Sequence, residues 1–399
     1  MLYNQDIVCL SNMHWGGHMT CKQQIMLRLS KHNKVLYVNR PLTFLSPFSG
    51  NEEISPWRQI SEIKSKPREV KPNLYVATPP LMIPLRYSQL SYMINSKILT
   101  TWLKKTMRKL GLNRPIIWTY TPETSRIVSH LPSKMSVYHC VDEHTAWGVW
   151  WNSPSLVWAR ERELIEGVDL VLATSRNLQR KKAQFNSNCH FVPNAADFEL
   201  FLKALETKTQ VPSDLGTLPK PIIGYVGMFL PDLINVDWIE HAAKKTGYSF
   251  AFIGRKIRRN FDLSRLEKLK NVYFLGFKEP EQLPGYLKGM DVCIIPSVKS
   301  KLIDAVFPLK LFEYLSAGKP VVARKTKELS YYNGLISVAD TPVKFVSAIE
   351  SSLHADNPEK IALRVSAASE NTWDARVEDL SRIAEETLRK KERKPLELH

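Results

Sequence analysis

With 399 residues the chain is too long for one ordinary core, and two domains of roughly 150–200 residues each are expected. The apolar share of 44% is that of a globular protein with ample surface to bury. A formal net charge of +17, from 56 Lys+Arg against 39 Asp+Glu, favours an anionic partner: nucleic acid, a phosphorylated ligand or an acidic membrane. The opening "MLYNQDIVCLSNMHWGGH" lacks a basic flank and a long apolar run, so it reads as a first strand (7–11) and not as a signal peptide. A helix over 20–30 follows, then strands at 34–38 and 74–77 and a helix over 93–110. Strands at 116–119 and 135–140, a helix over 154–166, and strands at 170–174 and 190–192 complete the first half. The alternation argues βαβ units and a parallel sheet.

Residues 203–221, "KALETKTQVPSDLGTLPKP", lose periodicity and gain Pro, Gly, Ser and Thr, which reads as an interdomain linker. Strands then restart at 222–226, 250–253, 272–275, 292–295 and 321–323, and a charged helix over 373–391 ends the chain. The expected architecture is α/β: one Rossmann-like domain over 1–205, a second over 206–372, and a C-terminal helix, 373–399, crossing back onto the first. The five cysteines are scattered, with no C-x-x-C pair and no metal spacing. Cys9 and Cys293 lie in apolar, strand-like runs, as reduced core thiols of a cytosolic protein do. No run approaches 18 apolar residues, so no membrane span is expected.

The stretch "FPLKLFEYLSAGKPVVAR" (307–324) concentrates the chemistry. Pro308 suits a first helical position and Gly318 the position after the last turn. Lys310 and Glu313 are three apart and share a face, at the helix end that attracts anions. Lys310 could meet a phosphate, and Glu313 could accept from two vicinal hydroxyls, as carboxylates do with ribose. An ordinary surface Lys–Glu pair has the same spacing. Upstream, "GYVGMF" ends a strand at Gly227 and Met228, where glycine admits a ligand to the backbone or simply makes a turn. "FIGRKIRR" carries Arg255 and further basic residues, able to neutralise a diphosphate or to stay solvated.

In the first half, the strand over 137–140 delivers Asp142 and Glu143 at its C-terminal end, where open sheets place functional groups. A carboxylate there suits general-base work, and equally suits a helix cap. The span 77–114 carries Arg86, Lys97, Lys104, Lys105, Arg108, Lys109 and Arg114 with no acidic residue. Ile94, Ile98, Leu99, Trp102, Leu103 and Leu110 recur within it at helical spacing. A basic amphipathic helix with Trp reads as a membrane-surface element, or as a core-packed helix with a solvated basic face.

"PLKLFEYLSAGKPVVA" resembles the nucleotide-binding helix of GT-B glycosyltransferases that build bacterial cell-surface polysaccharides. The likeness is to family-four-like teichuronic-acid enzymes and to a xanthan-type glucuronosyltransferase. It implies a two-domain GT-B fold with the donor in an interdomain cleft, Glu313 on the donor ribose and Lys310 on the diphosphate or transferred sugar. "LGFKEPEQLPGYL" resembles the segment whose backbone reads the base, with Gly276 and Phe277 as candidates; Phe277 could equally be core. Gly16 and Gly17 in "SNMHWGGHM" resemble the acceptor-side glycine loop, with His14 and His18 as further candidates there. The glucuronosyltransferase likeness puts the base at Asp142, with Glu143 the alternative.

One position departs from the family. A second glutamate is expected eight residues before Glu313, where this chain has Ala305, beside Asp304. Either Asp304 substitutes for it, or the transfer does not use that retaining arrangement and is an inverting one that needs a base. The resemblance also implies no metal and no resident cofactor, because GT-B enzymes hold the leaving diphosphate with helix dipoles and basic groups. The expected partners are a UDP-sugar donor, a saccharide or lipid-linked acceptor, and an anionic membrane, with the protein peripheral at its cytoplasmic face. The alternatives are a sugar-nucleotide epimerase of the same fold and a basic nucleic-acid-binding protein. No nucleic-acid motif accompanies the charge, and no nucleic acid is expected.

Overall fold

The computed structural model describes every residue except 1, 17–18, 44, 47–55, 64, 85–87, 147–152, 257–260 and 394–399, and no side chain at 56, 58 or 59. The chain forms two compact units, Met1–Pro193 with Arg376–His399, and Asn194–Ala375.

The first unit is built on an eight-stranded sheet among the described residues: β1 (Asp6–Leu10), β2 (Lys34–Val38), β3 (Arg68–Lys71), β4 (Leu74–Ala77), β5 (Ile116–Thr119), β6 (Met135–Cys140), β7 (Leu170–Ala173) and β8 (Cys189–Phe191). The spatial order is β3-β4-β2-β1-β5-β6-β7-β8. Only the β3–β4 pair is antiparallel. The order reverses direction at β1, whose Ile7 faces Val35 of β2 on one side and Ile116 of β5 on the other. The strands are near-continuous apolar runs, as strands covered on both faces are. Helices α1 (Cys21–Leu29), α2 (Pro56–Ile63), α3 (Gln89–Lys109), α4 (Ser125–His130), α5 (Pro154–Gly167) and α6 (Arg176–Lys182) make the connections.

α3 starts at its Ser88 cap and buries Tyr92, Ser96, Leu99, Leu103, Thr106 and Met107. That face is rotated from the one expected: Ile94 stands exposed with Leu90 and Met93, and Trp102 and Ile98 are half-buried. Tyr92 decides the rotation, because its hydroxyl bonds Ser125 Oγ at 2.5 Å beneath α4. Arg86 lies outside the described residues.

The second unit begins with α7 (Phe198–Leu202), and α8 (Ser213–Gly216) lies in what the sequence suggested was a linker. Composition misled there. Leu215 is fully buried, Phe201 and Ala204 join the same core, and Asp214 accepts a hydrogen bond from Tyr286 and pairs with Lys278. Glycines on the facing helix make the room. A Cβ at Gly285 would lie 2.5 Å from the Gln210 carbonyl oxygen, and one at Gly289 would lie 2.6 Å from Leu215.

Its sheet, six-stranded among the described residues, runs β11-β10-β9-β12-β13-β14, all parallel. The strands are β9 (Ile222–Val226), β10 (Ser249–Ile253), β11 (Val272–Gly276), β12 (Val292–Ile295), β13 (Val321–Arg324) and β14 (Ser337–Ala339). The helices that follow α8 are α9 (Val236–Thr246), α10 (Ser264–Glu267), α11 (Leu283–Gly289), α12 (Lys310–Ser316), α13 (Pro342–His354), α14 (Pro358–Ser369) and α15 (Trp373–Arg393). α9 shows why such elements stop and start where they do. Asn235 caps its first turn by accepting from the Trp238 N–H, and Gly247 ends it at φ +66°. From Arg376 onward α15 belongs to the first unit, where Val377, Leu380 and Ala384 are fully buried and Lys391 pairs with Asp169 at 2.8 Å.

Candidate active site

In the second unit the chain order reverses between β9 and β12, and open α/β sheets bind ligands at the strand ends beside such a point. Three neighbouring strands end here on glycines with positive φ: Gly227 (+150°), Gly254 (+146°) and Gly276 (+73°). The Gly227 N–H donates to the Ile253 carbonyl (2.8 Å) and the Gly254 N–H to the Gly276 carbonyl (2.9 Å). A Cβ on Gly254 would lie 1.8 Å from the Gly227 oxygen, so only glycine lets the two turns approach. The site floor is therefore bare backbone.

α12 lies against that floor. It begins at Lys310, after a turn that includes Pro308, and so slightly later than the proline suggested. The Tyr314 hydroxyl accepts from the Val226 N–H at 2.8 Å, which ties the helix to the end of β9. The Lys310 side chain runs across Gly227, where a Cβ would meet its Cε at 2.3 Å, and its ammonium stands 5.1 Å from the Tyr225 ring centroid. Glu313 is half-buried one turn on. Burial pushes its carboxyl above the usual carboxylate range, and the Lys310 charge only partly offsets this. Neither side chain makes a hydrogen bond or an ion pair among the described residues. The two groups thus share a face of α12 without a direct bond between them.

Around them, the Tyr225 hydroxyl donates to the Met228 carbonyl (3.1 Å), and the Arg255 guanidinium stacks 4.1 Å from the Phe277 centroid. Phe277 is 38% exposed, so it is not core. Arg258 and Arg259 of the same loop lie outside the described residues. Ala305 is fully buried, so the position eight residues before Glu313 offers no functional group.

In the first unit, Asp142 and Glu143 follow β6 but differ in state. Glu143 is 5% exposed, pairs with Lys181 at 2.7 Å and accepts from the Thr145 hydroxyl. Burial would raise its pKa, but the Lys181 and Thr145 bonds and the Lys182 charge outweigh it and hold the carboxyl low. The Asp142 side chain is half-buried and makes no hydrogen bond or ion pair among the described residues. His14 is engaged at both ring nitrogens: Nδ1 accepts from the Gly16 N–H (3.1 Å), so Nε2 donates to Glu62 (3.0 Å). Gly16 is exposed, and Gly17 and His18 lie outside the described residues.

Sequence reasoning missed Tyr314, Tyr225 and the close approach behind Gly254. It also missed Lys22 and His139 in the first unit, whose burial no local pattern announces. Among the described residues no group of three or more His, Cys, Asp or Glu is placed to hold a metal ion, and no helix is long and apolar enough to cross a membrane.

Residues 220–355 match the family described as Glycosyl transferases group 1. The chain is 29% identical over 232 residues to the teichuronic acid biosynthesis glycosyltransferase TuaH of Bacillus subtilis (strain 168), over 54% of this chain and 56% of that protein. It thus spans about half the length of the curated relative it matches. Among solved structures, sucrose-phosphate synthase from Thermosynechococcus elongatus superposes with a TM-score of 0.70 at 16% identity, over 96% of this chain and 99% of that one. Anabaena HepE in complex with UDP-glucose superposes with a TM-score of 0.65 at 15% identity, over 96% and 99%. Residues 220–355 match a glycosyl transferases group 1 domain, in a chain whose two units have the GT-B fold.

Proposed function

We propose that this protein is a glycosyltransferase that moves a sugar from a nucleotide sugar to a saccharide or lipid-linked saccharide in cell-surface polysaccharide synthesis. The observation that carries the proposal is the unpaired Lys310 and Glu313 on one face of α12, above a floor of glycine backbone. The donor binds the second unit, with Glu313 accepting from the ribose hydroxyls and Lys310 on the diphosphate. Arg255 adds positive charge, the backbone at Gly227 and Met228 admits the phosphates, and Gly276 and Phe277 meet the base. UDP is the favoured nucleotide, supported by the UDP-glucose complex of HepE. The donor is a substrate, and no metal or resident cofactor enters the proposal. TuaH supports transfer over the epimerase alternative.

The acceptor binds the first unit, beside Gly16 and its neighbours. Asp142 takes the proton of the acceptor hydroxyl as its oxygen bonds the anomeric carbon. The bond from that carbon to the diphosphate oxygen breaks, and its electron pair leaves with the nucleoside diphosphate. Glu143, held in its ion pair, is the poorer base. A base at Asp142 and a buried methyl at Ala305 both belong to transfer with inversion. A membrane-peripheral location is supported by the exposed Leu90, Met93 and Ile94 of α3, beside its basic residues.

One paired experiment tests the reading. Glu313→Ala removes charge-assisted hydrogen bonds of about 1.5–3 kcal/mol, so UDP affinity falls about tenfold or more in titration calorimetry. Asp142→Asn keeps that affinity but loses about 10²–10⁴-fold in turnover, and proton NMR of the new linkage shows the anomer opposite to the donor's. Unchanged UDP binding in a folded Glu313→Ala protein makes α12 merely structural; near-normal turnover in Asp142→Asn removes the base.

A further inference from the structure

The first unit has its own point of reversal, between β1 and β5, and a second unusual lysine stands there. Lys22, in the first turn of α1, is only 5% exposed, yet its side chain makes no hydrogen bond or ion pair among the described residues. Its ammonium stands 5.8 Å from the centroid of the Tyr120 ring, at the end of β5. Beneath Tyr120, His139 of β6 stacks at 5.1 Å and 26° and is 1% exposed, with both ring nitrogens unbonded. Burial first, and the Lys22 charge second, lower the His139 pKa to about 3, so its ring is neutral and adds no charge. The Asn12 side-chain oxygen, just past β1, is also buried without a partner. The acid near this cluster is Asp142, whose charge is felt at the Cys21 thiol but which does not pair with Lys22.

A lysine whose side chain is mostly buried and whose ammonium has no hydrogen-bond or ion-pair partner among the described residues is open to an anion. We propose that the β1/β5 reversal is an oxyanion site where Lys22 receives a phosphate or carboxylate of the acceptor, a proposal that rests on the first unit being the acceptor side. Neutral His139, beneath Tyr120, keeps one ring nitrogen able to donate and one able to accept. The acceptor is thereby an anionic saccharide or a diphosphate-linked one, and not a neutral sugar alone.

The test uses the full chain saturated with UDP, so that the donor site is filled and its occupancy is measured separately. Inorganic pyrophosphate and glucuronate are titrated in turn, reading the ring signals of His139 in histidine-labelled protein. One or both should bind and shift those signals, and Lys22→Met should weaken the binding about tenfold or more with UDP affinity unchanged. A response to pyrophosphate alone makes the acceptor a diphosphate, and to glucuronate alone an acidic sugar. Silence from both probes at millimolar concentration, or equal affinity in Lys22→Met, overturns the site. Failure of UDP to bind, with the probes still responding, overturns the donor reading and leaves this one standing.

Discussion

Lys182 and Glu161 are 1% and 0% exposed in their side chains and form an ion pair at 2.8 Å. The same carboxylate oxygen accepts from the Tyr138 hydroxyl at 2.7 Å. Burial alone would lower the lysine's pKa, but the neighbouring Cys140 and Glu161 outweigh it and hold the group charged. A buried pair of this kind adds little over an apolar pair of equal volume, but losing one member strands the other. Lys182→Met should therefore cost about 3–5 kcal/mol in urea unfolding, and adding Glu161→Leu should recover much of that loss. Additive single costs would mean that water reaches the stranded group. The contrast with Lys22 bears on what sequence can show. Both lysines sit in polar helical stretches, "CKQQ" and "RKKA", that read as solvated. Lys310 and Glu313 were legible because their spacing is local; Lys22 was not, because the Tyr120 ring beside it comes from about a hundred residues away.

At the scale of the elements, the ends of β9 and β10 hold each other through glycine. Gly254→Ala would set a Cβ against the Gly227 oxygen, a backbone atom that cannot swing aside, at a φ that side chains rarely adopt. It should cost more than the 1–3 kcal/mol of backbone strain alone, and UDP affinity should fall with it. Gly111 is the control: its φ is +70°, nothing lies within 4 Å of its Cβ position, and Gly111→Ala should cost only about 1–2 kcal/mol. Equal urea midpoints for the two variants would mean that the strand ends are free to part. The strands at the centres of both sheets were readable from their apolar runs. β3, "REVK", is polar and pairs only through the β3–β4 hairpin, and β14, "SVA", is three residues long at a sheet edge. Neither carries a periodic signal. Residues 203–221 failed differently: one buried leucine among prolines and polar residues is enough to dock a segment, and composition averages it away.

The excess of basic charge acts over the whole molecule. On α3 the exposed Leu90, Met93 and Ile94 lie toward one end, and exposed Lys97, Lys104, Lys105, Arg108 and Lys109 follow along the helix. Vesicles containing phosphatidylserine should sediment the protein. Neutralising Lys104, Lys105, Arg108 and Lys109 should weaken that by about 1 kcal/mol per charge, with UDP affinity unmoved. Equal sedimentation of the variant and wild type would leave this face simply solvated. The path of the chain bears on how the molecule is made. The second unit is one contiguous stretch, whereas the first takes its last helix from residues after 375. On a ribosome the second unit can close while the first still waits for Val377, Leu380 and Ala384 to emerge. An apolar surface of the earlier-made half stays open until the residues from Arg376 onward have been made, which makes that interval, and not the folded protein, its time of greatest risk of aggregation.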